Sequence, residues 1–151
     1  MTKLNRKVEY ALMALKYMVE RPDGSLISAK EISDAIGTPS EVTAKILQTL
    51  SSAKFLQSEK GLQGGYKLTA ELANISLHQL IEVMEGPSGL VKCIQDEHAC
   101  DIQGLCNIAS PLAVLNTKVQ NFYRAISIAE LLYPNLTAQP IATSETKEVN
   151  T

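Results

Sequence analysis

At 151 residues the chain has room for one domain and an appended helix rather than two full domains. Apolar residues make up 45% of it, enough for an ordinary core, and with no Trp and only two Phe that core must be aliphatic. The net charge of −2 leaves no general basic excess, so cations that meet a nucleic acid would have to be gathered on one face.

Leu4, Val8, Leu12, Leu15 and Val19 recur at helical spacing and predict an amphipathic first helix over roughly 4–20. Its charged residues Glu9 and Lys16, with no small-residue cleavage site after them, argue against a signal peptide. No apolar run reaches the length of a membrane span. A cytoplasmic protein without a membrane partner is therefore expected. Arg21-Pro22-Asp23-Gly24 reads as a turn, and Ser28 with Glu31 as a capping box that opens a short helix ending at Ile36 before Gly37. Thr38-Pro39-Ser40-Glu41 repeats the signal with Pro39 at the first helical position. The third helix then runs to about Ala53 with Val42, Ile46 and Leu50 inward. Phe55–Ser58 and Tyr66–Thr69 are strand candidates around a glycine-rich tip at 59–65. Ser76 caps a fourth helix that ends near Gly86. Pro111 opens a long helix whose Leu112, Leu115, Val119, Phe122 and Ile126 alternate three and four residues apart. One helix alone cannot bury such a seam, and a homodimer is the simplest solution. Ser127 and Glu130 offer another capping box at a break, and from about Asn135 the polar composition predicts disorder.

Three helices followed by a hairpin is the order of a winged helix, with 28–36 and 38–53 as the helix-turn-helix. Opposite the inward residues of the third helix lie Ser40, Ala44, Gln48 and Ser51, flanked by Glu41 and Lys45. Ser40 and Gln48 can hydrogen-bond base edges, Ala44 can touch a thymine methyl, and Glu41 can accept from cytosine N4. Lys45, Lys54, Lys60, Lys67, Lys3, Arg6 and Lys7 are candidate phosphate contacts, and Gln63 sits at the wing tip between glycines. The expected partner is a double-stranded DNA operator.

All three cysteines, Cys93, Cys100 and Cys106, fall in one stretch with gaps of six and five residues. In a reducing compartment such clustering points to metal or redox chemistry before a structural disulfide. An iron–sulfur cluster, usually held by four thiolates, is the leading reading. Zinc is the alternative, since His98 completes a Cys-His-Cys-Cys set, and a metal-free thiol pair is a third. His78 is read as packing or capping. A catalytic cysteine needs a nearby base and a pocket, for which the pattern offers little, so neither an enzyme nor a small-molecule substrate is expected.

Glu9-Tyr10-Ala11-Leu12, Ala44 to Leu50, the wing Gly61-Leu62-Gln63-Gly64-Gly65-Tyr66, and Ile75 to Ile81 with Glu85-Gly86 resemble the Rrf2 family of bacterial transcription regulators. The cysteine stretch and long helix follow in the same order, so the likeness spans about 1–133. The resemblance implies a homodimeric winged-helix regulator, in many members of which the cysteines hold an iron–sulfur cluster that senses iron, cluster supply, nitric oxide or redox state. It implies a fourth ligand either three residues after the last cysteine, which is Ala109 here, or just before the aromatic-Ala-Leu motif, which is Glu9 of the partner subunit. Relatives that add a His one turn later have Met13 in its place here, and several have a first gap of five residues. A [4Fe–4S] cluster on Cys93, Cys100, Cys106 and Glu9 is thus favoured over [2Fe–2S]. The expected fold is mostly α with a small β-hairpin. Its parts are a winged-helix domain at 1–86, a cysteine loop at 87–110, a dimerisation helix at 111–134 and a tail at 135–151.

Overall fold

The computed structural model describes residues 3–87, 89–96 and 100–137. Its first helix, α1 (Arg6–Val19), starts where the Asn5 side chain accepts the Lys7 amide at 3.0 Å. Val8, Ala11, Ala14, Leu15 and Met18 form its buried face, whereas Leu4 and Val19 stay exposed and Leu12 is half-buried. The seam read from the large aliphatics is therefore rotated. The two alanines let α1 lie closely against its neighbours α2 (Ala29–Ile36), α3 (Ser40–Ser52) and α4 (Leu77–Glu85). Small side chains at a helix crossing carry little weight in a count of bulky residues, yet they set how near two backbones come.

Ser28 caps α2 by accepting the Glu31 amide at 3.1 Å, but the Glu31 carboxylate takes the Tyr17 hydroxyl at 3.1 Å instead of completing the box. Pro39 is the N-cap of α3 rather than its first helical residue, and no side chain caps that end. The Thr38 hydroxyl is engaged elsewhere. It lies buried 2.6 Å from that of Thr43, which donates to the Pro39 carbonyl at 3.0 Å. This chain of buried hydroxyls fixes the turn between α2 and α3, and each unmade bond in it would leave a desolvated polar group. Thr43 and Leu47 join Ile46 and Leu50 on the inner face of α3, while Val42 is half-buried.

Strands β1 (Leu56–Glu59) and β2 (Gly65–Leu68) pair antiparallel with Leu56 opposite Leu68 and Glu59 opposite Gly65, one residue from the spans predicted. The hairpin is tied to the helices by Ile27, which exchanges two backbone hydrogen bonds with Tyr66 at 2.9 and 2.8 Å. Gly65 makes that approach possible, since a Cβ there would stand 2.5 Å from the Ile27 carbonyl oxygen.

A 3-10 turn at Leu72–Asn74 leads into α4, which carries a complete capping box between Ser76 and Gln79. Short helix α5 (Lys92–Gln95) and a 3-10 turn at Gln103–Leu105 follow, then the long helix α6 (Ala109–Ala125). Pro111 lies within the first turn of α6, which its missing N–H suits. Ile126, expected as the last residue of the helical seam, is extended (φ −98, ψ 117). Its carbonyl accepts the Leu77 amide, and its side chain packs on the core. Ser127 then caps α7 (Ile128–Leu132) by accepting the Glu130 amide at 3.1 Å. Pro134–Thr137 forms one more helical turn, α8; 138–151, most of the expected tail, lie outside the described residues. No helix among the described residues is long and apolar enough to cross a membrane.

One aliphatic core runs from Val8 to Ile128, with Tyr123, Ile126, Ala129 and Leu132 packed against it. The region after the cysteines thus shares the interior of the winged helix. Ile128 is fully buried, and Ile128→Ala should lower stability by about 2–5 kcal/mol. Thermal unfolding of that variant should remain one transition at a lower midpoint; an early separate step would show that 109–132 melts as its own unit.

Candidate functional site

On α3 the structure exposes Ser40, Glu41, Lys45 and Gln48, as the sequence predicts, whereas Ala44 and Ser51 are half-buried. The available face is therefore polar and centred on Lys45 and Gln48. These two line an open cleft of about 670 Å³ with Lys7, Val42, Thr49, Ser52 and Met84, which brings the start of α1 and the end of α4 to the same surface. Lys60 and Gln63 stand exposed on the wing tip. The other cations divide. Arg6 pairs with Glu9 at 2.9 Å, and Lys67 pairs with Glu59 at 3.0 Å across the hairpin. Lys3, Lys7, Lys45, Lys54 and Lys60 enter no ion pair among the described residues, and of these Lys7 and Lys45 line the cleft. Lys54 joins α3 to β1 in the left-handed region (φ 66), donating its amide to Ser51 at 3.0 Å. A side chain other than glycine costs about 1–2 kcal/mol there.

The cysteine segment hangs between α4 and α6. Cys93 lies in α5, Cys100 supplies its carbonyl to the Gln103 amide, and Cys106 ends the 3-10 turn. All three are free thiols, neither fully buried nor fully exposed. At the segment's start the Leu90 amide donates to the buried Asn116 side chain on α6 at 3.0 Å. Around the thiols Ile102, Leu105 and Ile108 are exposed. On α6 itself Leu115 (48%) and Phe122 (63%) face solvent, while Leu112 and Val119 are half-buried. The expected seam is thus split between this chain's own body and an outward strip.

A family model described as Rrf2, iron-dependent transcriptional regulator, matches residues 4–134. The chain belongs to the Rrf2 family. Among solved structures, the global cysteine regulator CymR of B. subtilis aligns at TM-score 0.65 and 21% identity, over 91% of this chain and 100% of that one. IscR of T. potens aligns at 0.62 and 20%, over 92% and 94%. The oxidized form of Staphylococcus aureus CymR gives 0.60 and 20%, over 87% and 96%. At such identities the likeness is one of fold, and that fold is the winged helix. This Rrf2 protein is a DNA-binding transcription regulator.

Three thiolates are a soft donor set suited to iron–sulfur or zinc binding, and their partial exposure leaves them reachable. Their chemistry fits the metal group that the family description implies. Their arrangement in the single chain is open, because the described residues contain no group of three or more His, Cys, Asp or Glu placed to hold a metal ion. Glu9, on the outer side of α1, is held by Arg6 and not by the thiols of its own chain. An exposed pair of this kind is worth about 0–1 kcal/mol, so it restrains Glu9 little. His98 lies outside the described residues. His78 is buried with Nδ1 3.5 Å from the Glu82 carboxylate, in keeping with a packing role. Pattern reading missed Asn116, whose polar type on a helix gives no hint of burial, and it missed the paired state of Arg6 and Lys67.

For this Rrf2 protein, Lys45→Ala and Lys60→Ala should each weaken binding to a selected duplex. Each should also make the logarithmic salt dependence shallower by about one per subunit on the duplex, the share of a single phosphate left unneutralised, and so by about two for a dimer. Unchanged titrations for both would place the DNA face elsewhere. Lys54→Gly should raise stability by about 1 kcal/mol by relieving the left-handed residue, while weakening the same duplex. A melting curve and a binding isotherm on one preparation read both effects.

Proposed function

We propose that the protein is a homodimeric repressor that reads its operator with α3 and the wing and is controlled by an iron–sulfur cluster in the cysteine segment. Cys93, Cys100 and Cys106 would hold the cluster, [4Fe–4S] before [2Fe–2S], with Glu9 of the partner subunit as the fourth ligand. The observation that carries this reading is the confinement of every thiol to one segment between α4 and α6, in a chain whose family model is described as iron-dependent. When bound, such a cluster supplies a redox-active and gas-reactive link among the thiolates. A carboxylate is a hard ligand on a soft centre, which makes one iron easier to displace and suits sensing better than electron transfer.

In this reading the segment's state reaches DNA through the chain's own residues. Gathering or releasing the thiols pulls on the Leu90–Asn116 bond and so on α6. The outward strip of Leu115 and Phe122 is the natural surface for a second copy, with Leu112 and Val119 at its edge. A shift of α6 at that surface alters the separation of the two α3 helices, which must match half-sites about one DNA turn apart.

The deciding measurement is the absorption spectrum, with iron, sulfide and zinc analysis, of protein purified without oxygen. A brown protein absorbing near roughly 400 nm with about four irons and four sulfides per subunit is expected. Cys100→Ala should take up no cluster, and Glu9→Ala should bind one that bleaches sooner. A colourless chain that holds only zinc, or no metal after reconstitution, would replace the cluster reading with that of a zinc-stabilised or metal-independent regulator.

A further inference from the structure

The wing ends in an apolar side chain that its chemistry does not explain. Leu62 is fully exposed (108% of its reference area), more than any other large hydrophobic residue described. It occupies a corner of the turn 61–64, closed by the Gly64 amide on the Gly61 carbonyl at 3.0 Å. This turn is rigidly based. A Cβ at Gly64 would stand 2.4 Å from the Glu59 carbonyl oxygen, so the backbone folds tightly back on itself there. Below it, Lys67 and Glu59 pair across the strands, and Ile27 grips Tyr66 by two hydrogen bonds. Leu62 is therefore held outward at the apex of a braced hairpin.

Its neighbours indicate what it meets. Gln57, Ser58, Lys60 and Gln63 are all exposed and polar, so Leu62 is a lone apolar point and not part of the contiguous patch that marks a protein interface. With Glu59 neutralised by Lys67, the charge left at the tip is that of Lys60. An apolar point beside a cation and an amide matches the equipment of side chains that enter a minor groove, where the amide reads base acceptors and the apolar group presses between base steps. We propose that Leu62 is a wedge that unstacks a base step of the operator, so that the wing bends DNA and selects sites by how easily they deform. The proposal rests on the reading above that α3 and the wing share the DNA face.

Deformation selects sequence at positions no side chain reads, with flexible pyrimidine–purine steps favoured. It also makes a contribution that releases no counterions. Removal of the wedge should therefore cost affinity without changing the salt slope, unlike removal of a cation that meets a phosphate.

The test uses the full chain, purified without oxygen, and the duplex it selects from a randomised pool. Affinity across a salt series and the end-to-end distance of a doubly dye-labelled duplex are measured for the wild type, Leu62→Ala, Leu62→Met and Lys45→Ala. Leu62→Ala should bind about tenfold more weakly with an unchanged slope and leave the duplex straighter, whereas Leu62→Met should keep both affinity and bend. If Leu62→Ala binds and bends as the wild type while Lys45→Ala is weakened, the wedge is wrong and the DNA face stands. A weakened Leu62→Ala with a shallower slope and the same bend also overturns it, assigning the tip to backbone positioning. If no duplex is selected, or Lys45→Ala and Leu62→Ala both bind normally, the shared DNA face is itself misplaced and the wedge falls with it.

Discussion

Two backbone hydrogen bonds hold the architecture together. The Leu77 amide donates to the Ile126 carbonyl and the Ile128 amide to the Ile75 carbonyl, each at 2.8 Å. They form a one-rung antiparallel bridge between Ser76 and Ser127. Both sides of the rung are helix beginnings, with Ser76 capping α4 and Ser127 capping α7. The rung closes α4, the cysteine segment and α6 into a loop whose two ends are fixed at the same point of the core. Ile75, Leu77 and Ile128, all buried, keep water from competing for its bonds. Because of this closure, α6 cannot drift freely from the winged helix.

Much of this arrangement is written in local signals. Ser28, Ser76 and Ser127 each cap the helix predicted for them, and the hairpin lies within one residue of its expected place. Such features depend on neighbours in sequence, which is why a sequence reveals them. The errors lie where tertiary packing decides. Ala11 and Ala14 outrank Leu4 and Val19 in the core because α1 is surrounded on that side, and periodicity weighted by size points the wrong way. Ile126 leaves the helical seam because the rung needs its carbonyl. The Glu31 carboxylate accepts the hydroxyl of Tyr17, distant in sequence, where the local pattern predicts a return bond to Ser28. The cysteine segment was legible as a donor set but not as a geometry, since three thiols close in sequence impose no convergence on the side chains.

The electrostatic character of the proposed DNA face also follows from pairing rather than composition. Arg6, Lys30 and Lys67 are paired with nearby carboxylates, which leaves Lys7 at the start of α1 and Lys45 on α3 as free cations of the cleft. With no basic excess in the chain, few phosphates are neutralised at once. Under the proposed function, non-specific attraction to DNA would be correspondingly modest, leaving discrimination to shape and to the polar residues of α3.

The closed loop has a consequence for how such a protein diversifies. Lengthening a loop whose ends are already pinned raises its closure entropy only logarithmically, about 0.6 kcal/mol for each doubling. Residues can be added or removed between Cys93 and Cys106, as in the six-residue first gap seen here, at a small fraction of the stability of the core. The rung at Ser76 and Ser127 fixes both ends of the loop whatever its length. Under the proposed function, detection and DNA reading would then be separable inheritances, with one loop open to retuning while the reading head remains as it was.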